Sequence, residues 1–204
     1  MSQTPLRKKR RTAALTLMAF FALIAIGRCY QLRDVEIALK IGEPWEDMRQ
    51  RSSARIDPAI PDQIAFGMPK SDARLRLADS KYPFVTPPAR FFAINYDRGF
   101  VSSVRMSPQI EPLLLDDTLK IVLDLQEQWR NGGWRPNLSA IFPSFADTPQ
   151  WRARLRDEKK NAGVAYWTAD DKYQVMLVVS RFHDDRHPDE ERYLITLALA
   201  GPWH

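Results

Sequence analysis

The residue types best suited to chemistry lie near the C-terminus, in His183-Asp184-Asp185-Arg186-His187 followed by Asp189, Glu190 and Glu191. Imidazoles four residues apart, with carboxylates beside them, form a donor set for zinc or another divalent cation. The same stretch joins two segments that read as strands and contains Pro188, which is also how a solvated turn is written. His183 and His187 are therefore metal candidates only, and no cofactor is assigned. Asp116-Asp117 has the form of a carboxylate pair, but its place before an apolar-periodic run reads as a helix cap. Gly132-Gly133-Trp134 has the form of an anion nest, yet it stands where a helical pattern stops. The single cysteine, Cys29, has only three histidines in the chain to activate it and lies at the end of an apolar run. G-x-S-x-G, phosphate-loop, G-x-G-x-x-G, H-E-x-x-H and paired C-x-x-C motifs are missing from the sequence. This inventory leads to the expectation of no enzyme activity. Trp129, Trp151 and Trp167 are expected in the core. Trp134 and Trp203, beside glycine and proline in irregular segments, are expected to be exposed partner contacts.

The N-terminus sets the location. Residues 1–11 form a basic tail with Arg7, Lys8, Lys9, Arg10 and Arg11, and the stretch Ala13 to Gly27 carries no charge. A basic cluster before an apolar run is an export or anchoring signal whose cations stay in the cytoplasm. Residues 12–28 are expected to be a single-pass inner-membrane anchor, with residues 30–204 as a periplasmic domain. The apolar run is short, roughly 23 Å of helix against a hydrocarbon core of about 30 Å. A cleaved signal that leaves a soluble periplasmic protein, and lipid attachment at Cys29, are open alternatives. Arg28 stands where a lipoprotein signal needs a small residue.

Residues 1–28 hold six of the 30 Lys/Arg and none of the 25 Asp/Glu, leaving 24 bases against 25 acids in the rest. The basic pI belongs to the targeting segment, which removes the charge argument for nucleic-acid binding. With one cysteine there is no internal disulfide, so a domain in an oxidising compartment rests on packing alone.

The remaining chain reads as α+β. Val35 to Ile41 alternates like a half-buried strand, and Pro44 opens a helix to about Ser53. Residues 55–89 are irregular, with prolines at 58, 61, 69, 83, 87 and 88. A hairpin follows around Asp97-Arg98-Gly99, with Phe92, Ile94 and Tyr96 on one face. A helix over Thr118 to Asn131 ends at Gly132-Gly133, another opens at Thr148-Pro149, and three strands close the chain (164–168, 173–182, 192–200). An antiparallel sheet packed with about three helices is expected, with two helix-plus-sheet halves, 34–112 and 113–204, as a possible division.

Val104 to Trp134 (VRMSPQIEPLLLDDTLKIVLDLQEQWRNGGW), with DKYQVMLVVSRF from Asp171 and ERYLITLALAGPW from Glu191, resembles small proteobacterial envelope proteins related to type VI secretion effector-immunity proteins. The resemblance implies a non-catalytic, membrane-tethered periplasmic binding protein whose partner is a toxic effector. An envelope assembly or scaffolding factor that binds another membrane protein is the alternative.

Overall fold

The computed structural model describes residues 35–157 and 162–202. The expected N-terminal anchor (residues 12–28), the basic cluster and Trp203 lie outside them. Among the described residues, no helix is long and apolar enough to cross a membrane.

Two elements show how the sequence builds the scaffold. Helix α2 (Leu115–Asn131) buries Leu115, Leu119, Val122, Leu125, Gln126 and Trp129 along one stripe. It starts three residues before the expected Thr118, because strand β7 (Leu113–Leu114) runs straight into it. Leu114 is the N-cap, and no side chain caps the helix. Asp116 and Asp117 are thus not capping residues. They sit in the first turn, where the positive end of the helix dipole favours a carboxylate. The hairpin joins β5 (Phe92–Asp97) to β6 (Phe100–Met106) through Arg98 and Gly99 at φ 46° and 83°, the double left-handed pair of a type I′ turn.

The segment from 55 to 89 is more regular than its prolines suggest. It holds β2 (Ile64–Gly67), β3 (Arg74–Leu77) and β4 (Phe84–Val85), two of them fitted between prolines at 61 and 69 and at 83 and 87. Pieces of two to four residues are too short to show alternation. β1 (Glu36–Leu39) pairs β3 in parallel and β4 completes this small sheet, so the fold is not wholly antiparallel. The crossover between β1 and β3 runs through helix α1 (Trp45–Arg51) and β2.

The large sheet is antiparallel, in the order β2-β5-β6-β11-β10-β9-β8, with β7 also on β11. Its remaining strands are β8 (Arg135–Asn137), β9 (Ala162–Ala169), β10 (Tyr173–Phe182) and β11 (Arg192–Ala200). Helix α3 (Pro149–Arg156) is capped by Thr148, which accepts from the Trp151 N–H. The boundary at 112/113 falls inside this sheet: β6 pairs β11 over Ser103 to Met106, and one core runs from Ile37 to Leu199.

Among the described residues, the helices and the small sheet pack on one face of the large sheet. Trp45 of α1 meets Tyr96 of β5, Trp129 of α2 meets Trp167 of β9, and Tyr82 beside the small sheet meets Tyr173 of β10. A Cβ on Gly163 of β9 would lie 2.6 Å from Phe145 and 2.9 Å from Trp151 of α3. Tyr96, Gly163, Trp167 and Tyr173 are all core-facing positions. β10 therefore buries Tyr173, Val175, Leu177 and Val179, while Gln174, Met176, Val178 and Ser180 stay half-buried on the other face.

Candidate functional site

The two histidines do not converge. Asp184 is buried and organises the loop: its Oδ1 accepts from the Arg186 backbone N–H and from Arg186 Nε, both at 3.1 Å. Its Oδ2 lies 3.1 Å from His187 Nδ1, and the Asp184 carbonyl accepts from the His187 N–H at 2.8 Å. The Arg186 guanidinium, then His187, hold the Asp184 carboxyl well below the usual carboxylate range. His183 instead faces the exposed Asp185 at 3.2 Å. Among the described residues, no group of three or more His, Cys, Asp or Glu side chains is disposed to hold a metal ion. The polar run is a folded turn built on one aspartate.

Trp134 is not an exposed contact residue: it is 3 % exposed. The helix ending explains why. Gly133 takes φ 78°, its N–H donates to the Arg130 carbonyl, and the Trp134 N–H donates to the Trp129 carbonyl at 2.9 Å. This paired bonding turns the chain back over the last turn of α2. Trp134 consequently lands on Trp129 (centroids 6.2 Å apart), Phe84 and Tyr173. Gly132-Gly133 is a helix stop, as its position in the sequence implies.

One buried polar cluster escapes sequence reasoning. Asp79 accepts from the backbone N–H groups of Lys81 (2.8 Å) and Tyr82 (3.1 Å), from the Tyr173 hydroxyl (2.8 Å) and from Lys172. Burial alone pushes its carboxyl up, but Lys172 and the other three donors outweigh this and leave it well below the carboxylate range. Burial, then the bond to Asp79, pushes the Tyr173 hydroxyl up to about 12. At neutral pH the acid has no proton to give and the phenol keeps its own. Lys81 and the Tyr82 hydroxyl both reach Asp170 alongside. The cluster is a clamp that ties the 79–82 turn to the β9–β10 turn.

Among the described residues, neither a helix nor the small sheet covers the outer face of the large sheet. Register places Ala93, Arg105, Ala198, Met176 and Tyr166 in one row across β5, β6, β11, β10 and β9. Asn95, Ser103, Ala200, Gln174 and Thr168 form the next row, and Asn95 Nδ2 donates to Ser103 Oγ at 2.8 Å. Small side chains (Ala93, Ser103, Ala198 and Ala200) occupy the β5, β6 and β11 part of this floor beside the exposed Arg105, and the larger Met176, Gln174 and Tyr166 occupy its β10 and β9 part.

Each side of the floor carries an apolar rim. On β2, Ile64 and Phe66 stand opposite Asp97 and Asn95, exposed to 80 % and 62 %. Beyond β8, Leu138 and Ile141 are exposed to 53 % and 67 %, and Phe142 packs edge-on against Tyr166. Six strand spacings separate β2 from β8, about 29 Å. Pro136 blunts the β8 edge by withholding an N–H.

Comparison with protein-family models, with curated proteins and with solved structures finds nothing that matches the chain.

Proposed function

We propose that the chain is a non-catalytic, membrane-tethered periplasmic binding protein that acts as an immunity protein, occluding a secreted toxic effector. The observation that carries this reading is the outer sheet face with its exposed rim at Leu138 and Ile141. The small side chains of Ala93, Ser103, Ala198 and Ala200 let a partner approach β5, β6 and β11 closely, and the rim supplies apolar anchors at one side. From β5 to β8 the face measures about 24 Å by roughly 20 Å, on the order of 500 Å². That is more than half of the ~800 Å² each partner contributes to a specific complex. Near-neutral charge beyond residue 28 also suits a protein partner better than a polyanion.

Co-expression tests the function. The full chain is produced with the secreted toxin encoded beside its gene, the toxin being directed to the periplasm. Restored growth is expected with the wild-type chain and lost with Ile141→Asp at equal protein level. Killing that the wild-type chain does not relieve, or a gene neighbourhood of housekeeping envelope proteins without a toxin, points instead to an assembly or scaffolding role.

A further inference from the structure

We propose that the β2 side of the domain rests on the membrane surface, with Phe66, Met68 and Phe91 dipping into the lipid interface and Arg49, Arg55 and Lys70 facing the headgroups. The inference rests on the reading of residues 12–28 as a retained membrane anchor.

Three observations carry it. The first is where the anchored chain enters the fold. Residues 28–34 span at most about 24 Å even when extended, so the entry point at Val35 stays close to the bilayer. Hydrogen bonds fix what surrounds that point. The Val35 carbonyl accepts from the Arg74 N–H at 2.9 Å, and the neighbouring Ala73 exchanges bonds with Ala89, two residues before Phe91. On the other side the Glu36 carbonyl accepts from the Ala54 N–H, and the Arg55 carbonyl accepts from the Lys70 N–H, two residues after Met68. The entry point, Met68 and Phe91 therefore share one end of the domain.

The second observation is exposure. Phe66, Met68 and Phe91 are exposed at 62 %, 42 % and 46 %, large apolar side chains that nothing among the described residues covers. Isolated exposed apolar residues need no explanation, but neighbouring ones beside an anchor do. The third is charge. A cleft of about 440 Å³ at the same end is lined by Arg49, Arg55 and Lys70; Arg49 pairs with Glu46 and Lys70 with Asp57, so the lining carries an excess of one positive charge. Apolar side chains next to an excess of cations form the surface that settles at the boundary between headgroups and acyl chains.

The rim beyond β8 lies about 29 Å away across the sheet and serves as the internal control. The full chain with Cys29→Ser is given one cysteine, by Phe66→Cys or Ile141→Cys, and labelled with an environment-sensitive fluorophore. Each is reconstituted in vesicles of phosphatidylethanolamine and phosphatidylglycerol with brominated acyl chains. Both sites are exposed, so labelling leaves the core intact. Quenching at position 66 but not at position 141, weakened when phosphatidylglycerol is omitted, is the expected result. Protein that floats with the vesicles but shows no quenching at 66 overturns the proposal and leaves the anchor standing. Protein that fails to float overturns the anchor reading and this proposal with it. Shielding of position 66 by an added protein rather than by lipid also overturns it, and reassigns the β2 rim to a protein partner.

Discussion

The Asp79 carboxylate gathers an ammonium and a hydroxyl from residues 93 and 94 positions further along the chain, besides two backbone donors. In Asp79→Asn the amide oxygen can still accept from the two N–H groups, but the Oδ2 that takes Lys172 and the Tyr173 hydroxyl becomes an NH2 donor, leaving the buried hydroxyl without its acceptor and Lys172 without its counter-charge. Asp79→Asn is therefore expected to cost about 2–3 kcal/mol at neutral pH, read from urea midpoints. The sign with pH is fixed: a carboxyl depressed on folding stabilises above its unfolded value of about 4, and that stability is lost as pH falls below it. The gap between wild type and Asp79→Asn should accordingly narrow between about pH 5 and pH 2. A gap that does not change with pH contradicts the assignment. None of this was legible in the sequence, because Asp79 and Tyr173 meet only through the fold. The loop at His183 to His187 illustrates the same limit in reverse. Its spacing is visible in the sequence, while the turning of the two imidazoles toward different carboxylates, Asp185 and Asp184, is set by the loop's local turn geometry.

At the scale of elements, strongly patterned segments could be read directly. β10 and β11 match their expected bounds to the residue, the hairpin forms at Arg98-Gly99, and α2 stops at Gly132. The misreadings have physical causes. β2, β3 and β4 hold at most two periods of strand alternation each among closely spaced prolines, and β7 hides the start of α2. Trp134 was placed outside because glycine neighbours suggest a loop, whereas the glycines are what fold it inward. Gly133→Ala places a Cβ at φ 78° and is expected to lower stability by about 1 kcal/mol. Trp134→Ala empties a site among Trp129, Phe84 and Tyr173 and is expected to cost roughly 3–5 kcal/mol by thermal or chemical unfolding. Partner affinity per folded molecule should not change in either variant. A selective loss of binding from a fully stable Trp134→Ala protein contradicts the burial of that side chain.

At the scale of the molecule, among the described residues the helices and the small sheet sit on one side of the large sheet, and the other face is the one proposed to meet a partner. The sequence carried a faint trace of this: Ser180, Thr196, Ala198 and Ala200 alternate with large apolar residues without being charged. With 24 bases against 25 acids beyond residue 28, partner affinity should change little with salt, in contrast to the steep dependence of a nucleic-acid binder. The measurement that goes most directly to the central claim is titration of the purified full chain in detergent with the toxin encoded beside it. Wild type is compared with Ala198→Arg, which sets a long cation between Arg105 and Met176 on the outer face. A stoichiometric wild-type complex, weakened at least ~30-fold by Ala198→Arg with an unchanged melting temperature, is the predicted result. Failure of the wild-type chain to bind, or binding that Ala198→Arg leaves untouched, contradicts a partner on that face.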